Sequence, residues 1–356
     1  MVQTHPDPPP AGPSYTPQYT LSGHSRAVTA LRFSSDGRSL VSAGADGYVH
    51  FWDAASGAHQ RALWCHRTGK PLAPAALTPG INDISLSPDG LYLATASDDG
   101  TALVFAADPL AAPRAQALIA PPLRTLAAHT APVLSVAFGP KSNLLVTGSL
   151  DESAIVWDVR RGKSLRTLPA HAEAIWSVGW DAEGALVITG SADGLIRLWD
   201  ASTGQCLKTF DNESNAPVSS ASFTPSSFFI LSSTLSSTIR VYSLHTAKVL
   251  KTLRAPEYVS EKFPSPAIVF AAPGLANGHA APDAMDVDGA LAAARVVAGS
   301  ENGKAVIWDL QDRRVVQVLE GHEAPVVALA VHPDGRTIAT GALEPDKKIK
   351  VWQWQQ

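Results

Sequence analysis

A histidine, an aspartate and a hydroxyl side chain are the ingredients of nucleophilic acyl transfer, in which the base is oriented by the acid and deprotonates the alcohol. His171 and Asp193, with a serine nearby, offer that combination. The same His and Asp pair recurs, however, as His24 with Asp46 and His129 with Asp151. A constellation copied along the chain at a regular interval reads as scaffold, because a catalytic site needs one convergent arrangement around one substrate. The histidines show no metal-ligand spacing, so no metal is expected. The glycines fall in hairpin turns and no glycine-rich loop carries a phosphate-binding lysine, so no nucleotide cofactor is expected either. The sequence therefore reads as non-enzymatic.

The elements that position these residues are short alternating runs such as "LLVTGS" and "SAIVWDV", separated by turn signals such as "ADG", "DDG" and "ENG". Alternation with a period of two over about six residues, bounded by Asp-Gly or Asn-Gly, is the pattern of strand and hairpin. The stretch beginning "GSLDESAIVWDV" at Gly148 is rewritten as "GSADGLIRLWDA" from Gly190. Aligning the closing aromatic of each copy gives Trp52, Phe105, Trp157, Trp199, Tyr242, Trp308 and Trp352. The unit is roughly 42 to 44 residues, with insertions before Phe105, Trp157 and Trp308. A single four-stranded unit cannot bury both of its faces, whereas seven arranged radially pack each sheet on its neighbours and close on themselves. The fold class expected is all-β, a seven-bladed propeller. The chain ends at "KVWQW", three strands into the last unit, so "QYTLSG" near the start is expected to supply the fourth strand and cover the edge. Residues 1–17 are Pro-rich and read as a disordered tail, residues 18–356 as the propeller, and 272–294 as a disordered insertion within it.

Composition fixes the class of partner. The 356 residues are 45% hydrophobic and 17% charged, which supplies a large core. With 28 Lys and Arg against 32 Asp and Glu, the net charge is -4 and offers no basic field for a phosphate backbone, so no direct nucleic-acid partner is expected. No run of roughly 18 apolar residues is present, and the first residues lack an apolar signal core, so neither a membrane partner nor secretion is expected. Cys65 and Cys206 are isolated from each other and read as buried structural thiols in a reducing compartment.

The units resemble the WD-repeat family. The carrying words are Gly23-His24 and Gly321-His322, Ala128-His129 and Ala170-His171, and the pairs Trp52-Asp53, Trp157-Asp158, Trp199-Asp200 and Trp308-Asp309. The resemblance implies a structural network in which the turn Asp holds the His, the His reaches a Ser or Thr, and that hydroxyl receives the Trp indole. Carried onto this sequence, the networks are His24, Ser42, Asp46 and Trp52; His129, Thr147, Asp151 and Trp157; and His171, Thr189, Asp193 and Trp199. Blades 2, 5 and 6 depart from the pattern at Phe105, Tyr242 and Asn302 and lack a clear blade His.

Among WD-repeat chains the sequence is similar to the subunit of the COMPASS/MLL histone lysine-4 methyltransferase complex, the Swd type of yeasts. The words shared with it include "LSGHSRAVTALRFSSDG", "SNLLVTGSLDES", "SADGLIRLWDASTGQCLKTF" and "GALEPDKKIKVWQW". That resemblance implies a scaffold in the nucleus, monomeric within a hetero-oligomeric complex. Its partners would be a methyltransferase catalytic subunit, other scaffold subunits and a histone tail. The top face, which clamps an arginine in that family, would comprise Ala27, Thr29, Ala45, Asn82, Asp83, Asp98, Leu134, Leu150, Trp176, Ala192, Ser219 and Phe263. The two rings that sandwich the guanidinium fall on Leu134 and Pro266, with Phe263 in place of a neighbouring Tyr, so the arginine site is only partly kept. The opposite face would dock an acidic and apolar segment through Ser226, Phe229, Val241, Leu250, Lys251, Phe270 and Gln311. A generic WD-repeat adaptor in a splicing or ubiquitin-ligase assembly would share the same blade grammar. A propeller enzyme would need convergent polar groups at the channel mouth, where the sequence offers mainly Asp98 and Glu301.

Overall fold

The computed structural model describes residues 13–66, 79–107, 121–212, 215–273 and 294–355. Its strands, in chain order, begin with β1 (Ser14–Leu21). Blade 1 is β2 (Val28–Phe33), β3 (Ser39–Gly44), β4 (Tyr48–Asp53) and β5 (His59–Trp64). Blade 2 is β6 (Ile81–Leu86), β7 (Tyr92–Ser97), β8 (Ala102–Ala106) and β9 (Arg124–Leu126). Blade 3 is β10 (Val133–Phe138), β11 (Leu144–Ser149), β12 (Ser153–Asp158) and β13 (Lys163–Pro169). Blade 4 is β14 (Ile175–Trp180), β15 (Leu186–Ser191), β16 (Leu195–Asp200) and β17 (Cys206–Asp211). Blade 5 is β18 (Val218–Phe223), β19 (Phe229–Thr234), β20 (Thr238–Ser243) and β21 (Val249–Leu253). Blade 6 is β22 (Ala267–Ala271), β23 (Ala294–Gly299), β24 (Lys304–Asp309) and β25 (Val315–Glu320). Blade 7 is β26 (Val326–Val331), β27 (Thr337–Ala342) and β28 (Ile349–Gln355), completed by β1 from the other end of the chain.

The closing strand runs antiparallel to β28 from Ser14 opposite Gln355 to Leu21 opposite Ile349, with one irregularity between Pro17 and Tyr19. The proline sits where the ladder loses its regularity, consistent with its missing N–H. The strand starts inside the segment expected to be a tail. Tyr15 is 3% exposed, donates its phenol to the Gly335 carbonyl at 2.5 Å, and packs edge-on against Trp354. The inner boundary expected at residue 17 is therefore corrected: β1 already begins at Ser14, because one inward aromatic outweighs the flanking prolines. The insertion expected at 272–294 falls almost wholly outside the described residues, although Ala294 already belongs to β23.

The core is a ring of apolar layers, one at every blade interface. Leu31, Leu40 and Trp52 of blade 1 meet Ala339, Ile349 and Val351 of blade 7, and Val146, Val156 and Leu168 of blade 3 meet Ile175, Val187 and Trp199 of blade 4. Register between neighbouring blades is set by polar braces on the innermost strands. The amides of Val136, Phe138, Val178, Ala221 and Ala267 donate to Asp83, Ser85, Ser135, Ser177 and Ser220 of the preceding blade, at 3.0–3.2 Å. Turn glycines sit where the next blade presses in. Gly194 has φ +83, and a Cβ there would stand 2.8 Å from the Asn215 backbone, so the residue is fixed twice over, by conformation and by space.

Candidate functional site

The repeated His and Asp pairs form closed structural networks. His24 Nδ1 lies 3.1 Å from Asp46 and its Nε2 2.9 Å from Ser42 Oγ, which also receives Trp52 Nε1 at 2.9 Å. His129 bridges Asp151 and Thr147 at 2.9 and 2.7 Å, with Trp157 Nε1 on the same hydroxyl at 2.8 Å. His171 bridges Asp193 and Thr189 at 2.9 and 2.8 Å, and Trp199 closes the set at 3.0 Å. His322, Asp346, Thr340 and Trp352 repeat it in blade 7. In each, the hydroxyl accepts from the indole, meets a ring nitrogen of the histidine and is fully buried, so it is closed to a substrate carbonyl. Burial pushes the Asp193 carboxyl up, but donors from Leu195 N, His171 and Ala172 N outweigh it and hold the group below the usual range. Burial lowers His171 despite the pull of Asp193.

Blade 2 corrects the sequence reading. His66 lies 2.7 Å from Asp99 and 2.8 Å from Thr95, so this blade does carry its histidine. Residues 67–78 separate it from β6 and break the fixed offset that made the other histidines recognisable. Among the described residues, blades 5 and 6 lack the network. Trp308 Nε1 finds no acceptor where Ala298 replaces the Ser or Thr, and the Ser232 hydroxyl of blade 5 has no partner beside Tyr242.

The innermost strands enclose a central channel of about 800 Å³. Of the expected top-face residues, Thr29, Asn82, Asp83, Leu134, Trp176, Ser219 and Phe263 line it. Trp176 is half-buried and Phe263 is 40% exposed, and both stand at the wall of an open channel together with Phe33, Trp180 and Phe223. Leu150 is exposed, and Ala27, Ala45 and Ala192 are half-buried in the loops that lead to the same strands. Asp98 is exposed and receives the Asn82 amide at 2.8 Å. Glu301 is spoken for by the amides of Glu261, Lys262 and Phe263. Two expected contacts are corrected. Asp83 braces three blades, receiving Arg32 at 2.9 Å together with Ser135 and the Val136 amide, and so has little capacity left for a peptide. Ser219 is buried, with its hydroxyl turned to Ser233 at 2.7 Å and to the Ser265 carbonyl.

The opposite face differs more from expectation. Phe229 is 5% exposed and Val241 0%, both inside the apolar layer between blades 5 and 6, and Phe270 lies in a different layer with Tyr15 and Ile338. These three are core, not the walls of a groove. Both faces of these strands are covered: Phe229 and Val241 point into the layer shared with blade 6, Ile230 and Tyr242 into the layer shared with blade 4, and the exposed side chain is Phe228, at 43%, in the turn before β19. Ser226, Gln311 and Val249 are exposed, while Leu250 and Lys251 are half-buried.

Lys251 belongs to a ring of clasps that the sequence did not announce. Its ammonium donates to the Gln311 carbonyl of the next blade at 3.3 Å. Arg61, Arg124, Arg166 and Lys208 do the same to Ala107, Arg160, Ser202 and Leu244. Gln317 then holds Tyr15, and Tyr19 Oη reaches Ala54, which closes the circle. A Cβ at Gly162 would stand 2.9 Å from Arg124, so the turn glycine leaves room for the clasp. Each clasp joins residues in different repeats, and no short window contains both partners.

The thiols and histidines bring two further corrections. Cys65 is buried, which pushes its thiol well above the usual range, but Cys206 is exposed. In blade 1 one ligand atom each from His24, Asp46 and His50 lie within 4.8 Å of one another, although no metal-ligand spacing is visible in the chain. His50 Nδ1 is also 2.9 Å from His59 Nε2. Burial, with His24 and His59, lowers His50 to about 3 against the pull of Asp46.

The family model described as the WDR5 beta-propeller domain matches residues 20–353. The chain is 30% identical over 286 residues to the COMPASS component SWD3 of Saccharomyces cerevisiae, covering 77% of this chain and 81% of that protein. It is 27% identical over 176 residues to the LST8 homolog of Drosophila pseudoobscura pseudoobscura, covering 40% and 54%. It is 30% identical over 152 residues to the HIR1 protein of Yarrowia lipolytica, covering 36% and 14%.

Proposed function

We propose, because this chain belongs to the WDR5-type β-propeller family, that it is a non-catalytic scaffold subunit of a COMPASS-type histone lysine-4 methyltransferase complex in the nucleus. The observation that carries the reading is the similarity to a protein named as a COMPASS component, which extends through 77% of the chain. A rigid disc of seven packed blades presents loops on two faces and a channel between them, a form suited to holding peptide segments of several partners at once.

On this reading the top face is the principal docking surface. Trp176 and Phe263 supply aromatic area at the channel wall, Leu150 supplies an aliphatic edge, and exposed Asp98 supplies the charge. Buried aromatic anchors beside a satisfied polar rim are what concentrates binding energy in an interface. With Leu134 and Pro266 in place of two rings, an incoming arginine would meet Trp176 and Phe263 instead of a matched sandwich. The opposite face contributes exposed Phe228, Val249 and Gln311 for a second segment.

A generic adaptor role is the second reading, supported by the partial similarities to the LST8 homolog and HIR1 proteins. Affinity purification of the tagged chain from its own cells, followed by mass spectrometry, separates the two. Methyltransferase subunits co-purifying with the parent chain, and lost with Trp176→Ala, are the expected result; recovery of an unrelated assembly alone overturns the COMPASS reading.

A further inference from the structure

We propose that the seam between blades 2 and 3, on the face opposite the top of the channel, docks an acidic segment of a partner protein that also carries aliphatic residues. Three turns meet there. The turn 87–91, between β6 and β7, touches the turn 139–143, between β10 and β11, through the Asp89 amide on Ser142 Oγ at 3.3 Å. The turn after β12 joins them, because the Val159 amide donates to the Asn143 carbonyl at 3.1 Å. Arg124 crosses from blade 2 and places Nε and Nη2 on the Arg160 carbonyl, at 3.0 and 2.7 Å. The end of β8 closes the circuit: the Val104 carbonyl receives the Leu123 amide, and the Ala107 amide donates to Leu91. Leu91 and Leu123, 55% and 45% exposed, therefore share one rim with Arg124, Lys141, Arg160 and Arg161, all of them exposed.

Comparison among the repeats separates what the fold requires from what this seam adds. Lys141 stands where blades 1, 2, 4 and 7 have Asp36, Asp89, Glu183 and Asp334. Arg160 and Arg161 stand where blade 1 has Ala55 and Ser56, blade 4 Ser202 and Thr203, and blade 6 Gln311 and Asp312. Blade packing tolerates acids and small polar residues at these places, so the cations serve something outside the ring. The chain has a net charge of -4, yet four cations gather here beside two carboxylates that are already engaged. Asp89 accepts from the Ser87 hydroxyl and the Leu91 amide, and Asp158 caps its own turn and pairs with Arg161 at 3.2 Å. The Arg160 guanidinium and the Lys141 ammonium remain for incoming carboxylates. The two leucines decide the class of partner, since an aliphatic side chain buries against them and a phosphate backbone has none to offer.

The test is fluorescence polarisation of the purified full chain with a short labelled peptide of glutamate and leucine, so it does not depend on which assembly the chain joins. Expected is saturable binding that weakens as salt rises. Arg160→Glu combined with Arg161→Glu should weaken it about tenfold, because two exposed attractions become repulsions, and should instead capture a peptide of lysine and leucine. Leu91→Ser and Leu123→Ser should weaken binding while leaving its salt dependence in place. Arg336→Glu, at the place of Leu91 in blade 7, and Trp176→Ala, at the top face, should leave it unchanged. Unfolding midpoints of all variants control for folding. Lack of saturable binding, or binding indifferent to the double charge reversal, overturns the proposal. Equal binding of a peptide of glutamate and serine, or tighter binding of duplex DNA through the same residues, overturns it as well.

Discussion

Replacing Tyr15 tests where the ordered propeller begins and how it closes. Tyr15→Ala removes a ring that is 3% exposed and packed against Phe270, Trp354, Leu319 and Ile338, together with the hydrogen bond from its phenol to Gly335. Truncation of a buried aromatic costs about 3–5 kcal/mol, transfer and cavity terms together. Tyr15→Phe keeps the packing and loses only the phenol, for about 0.5–1.5 kcal/mol. The assay is equilibrium denaturation of both variants, with hydrogen exchange followed at β28, whose outer edge β1 covers. Tyr15→Ala should also speed exchange along β28, since the strand that protects it detaches first. Burial raises the Tyr15 phenol above its ordinary range, and a group whose pKa is raised by folding contributes stability that is lost at higher pH. The gap between parent and Tyr15→Phe should therefore narrow as pH climbs above about 10. A Tyr15→Ala variant within about 0.5 kcal/mol of the parent, the range of an ordinary surface substitution, would refute the reasoning and return Tyr15 to a disordered tail.

Phe229→Glu should unfold the chain, read as loss of the cooperative thermal transition, because it puts a charge into the apolar layer between blades 5 and 6; Phe228→Glu should leave that transition unchanged while weakening partner capture in a pull-down. His66→Ala should lower stability by about 1–3 kcal/mol by leaving the Thr95 and Asp99 partners unsatisfied, which denaturant titration would show. Folding lowers the pKa of His50, His171 and His322, so the unfolded chain takes up protons first; stability should fall as pH drops below about 6.5, with a shallower dependence in His50→Gln, measured by unfolding midpoints from pH 7 to 5. Asp98→Ala should change folding little, because its exposed carboxylate accepts from the Asn82 side-chain amide and the Gly80 backbone amide alone, and should weaken peptide docking at the top face as read by fluorescence polarisation.

The sequence by itself determined the seven-bladed architecture, its closure by an N-terminal strand and the chemistry of the repeated networks. These are legible because a blade is a local object: the strands alternate with a period of two, Asp-Gly turns join them, and His171, Thr189, Asp193 and Trp199 all fall inside one copy of the unit. His66 escaped only because an insertion broke its offset. The rest depended on which blade packs against which. Phe229 and Val241, groove residues by family resemblance, become core once blade 6 is laid over them, and the Lys251 ammonium is met by the next blade's Gln311 carbonyl. Asp83 becomes a brace because Arg32 and Ser135 arrive from both sides. The meeting of His50 with His59 is decided by the bulge between Phe51 and Trp52 that sets the register of β4 on β5. Contacts within a repeat are written in spacing, whereas contacts between repeats depend on the angle and register at which successive sheets settle, and that follows from packing the whole ring.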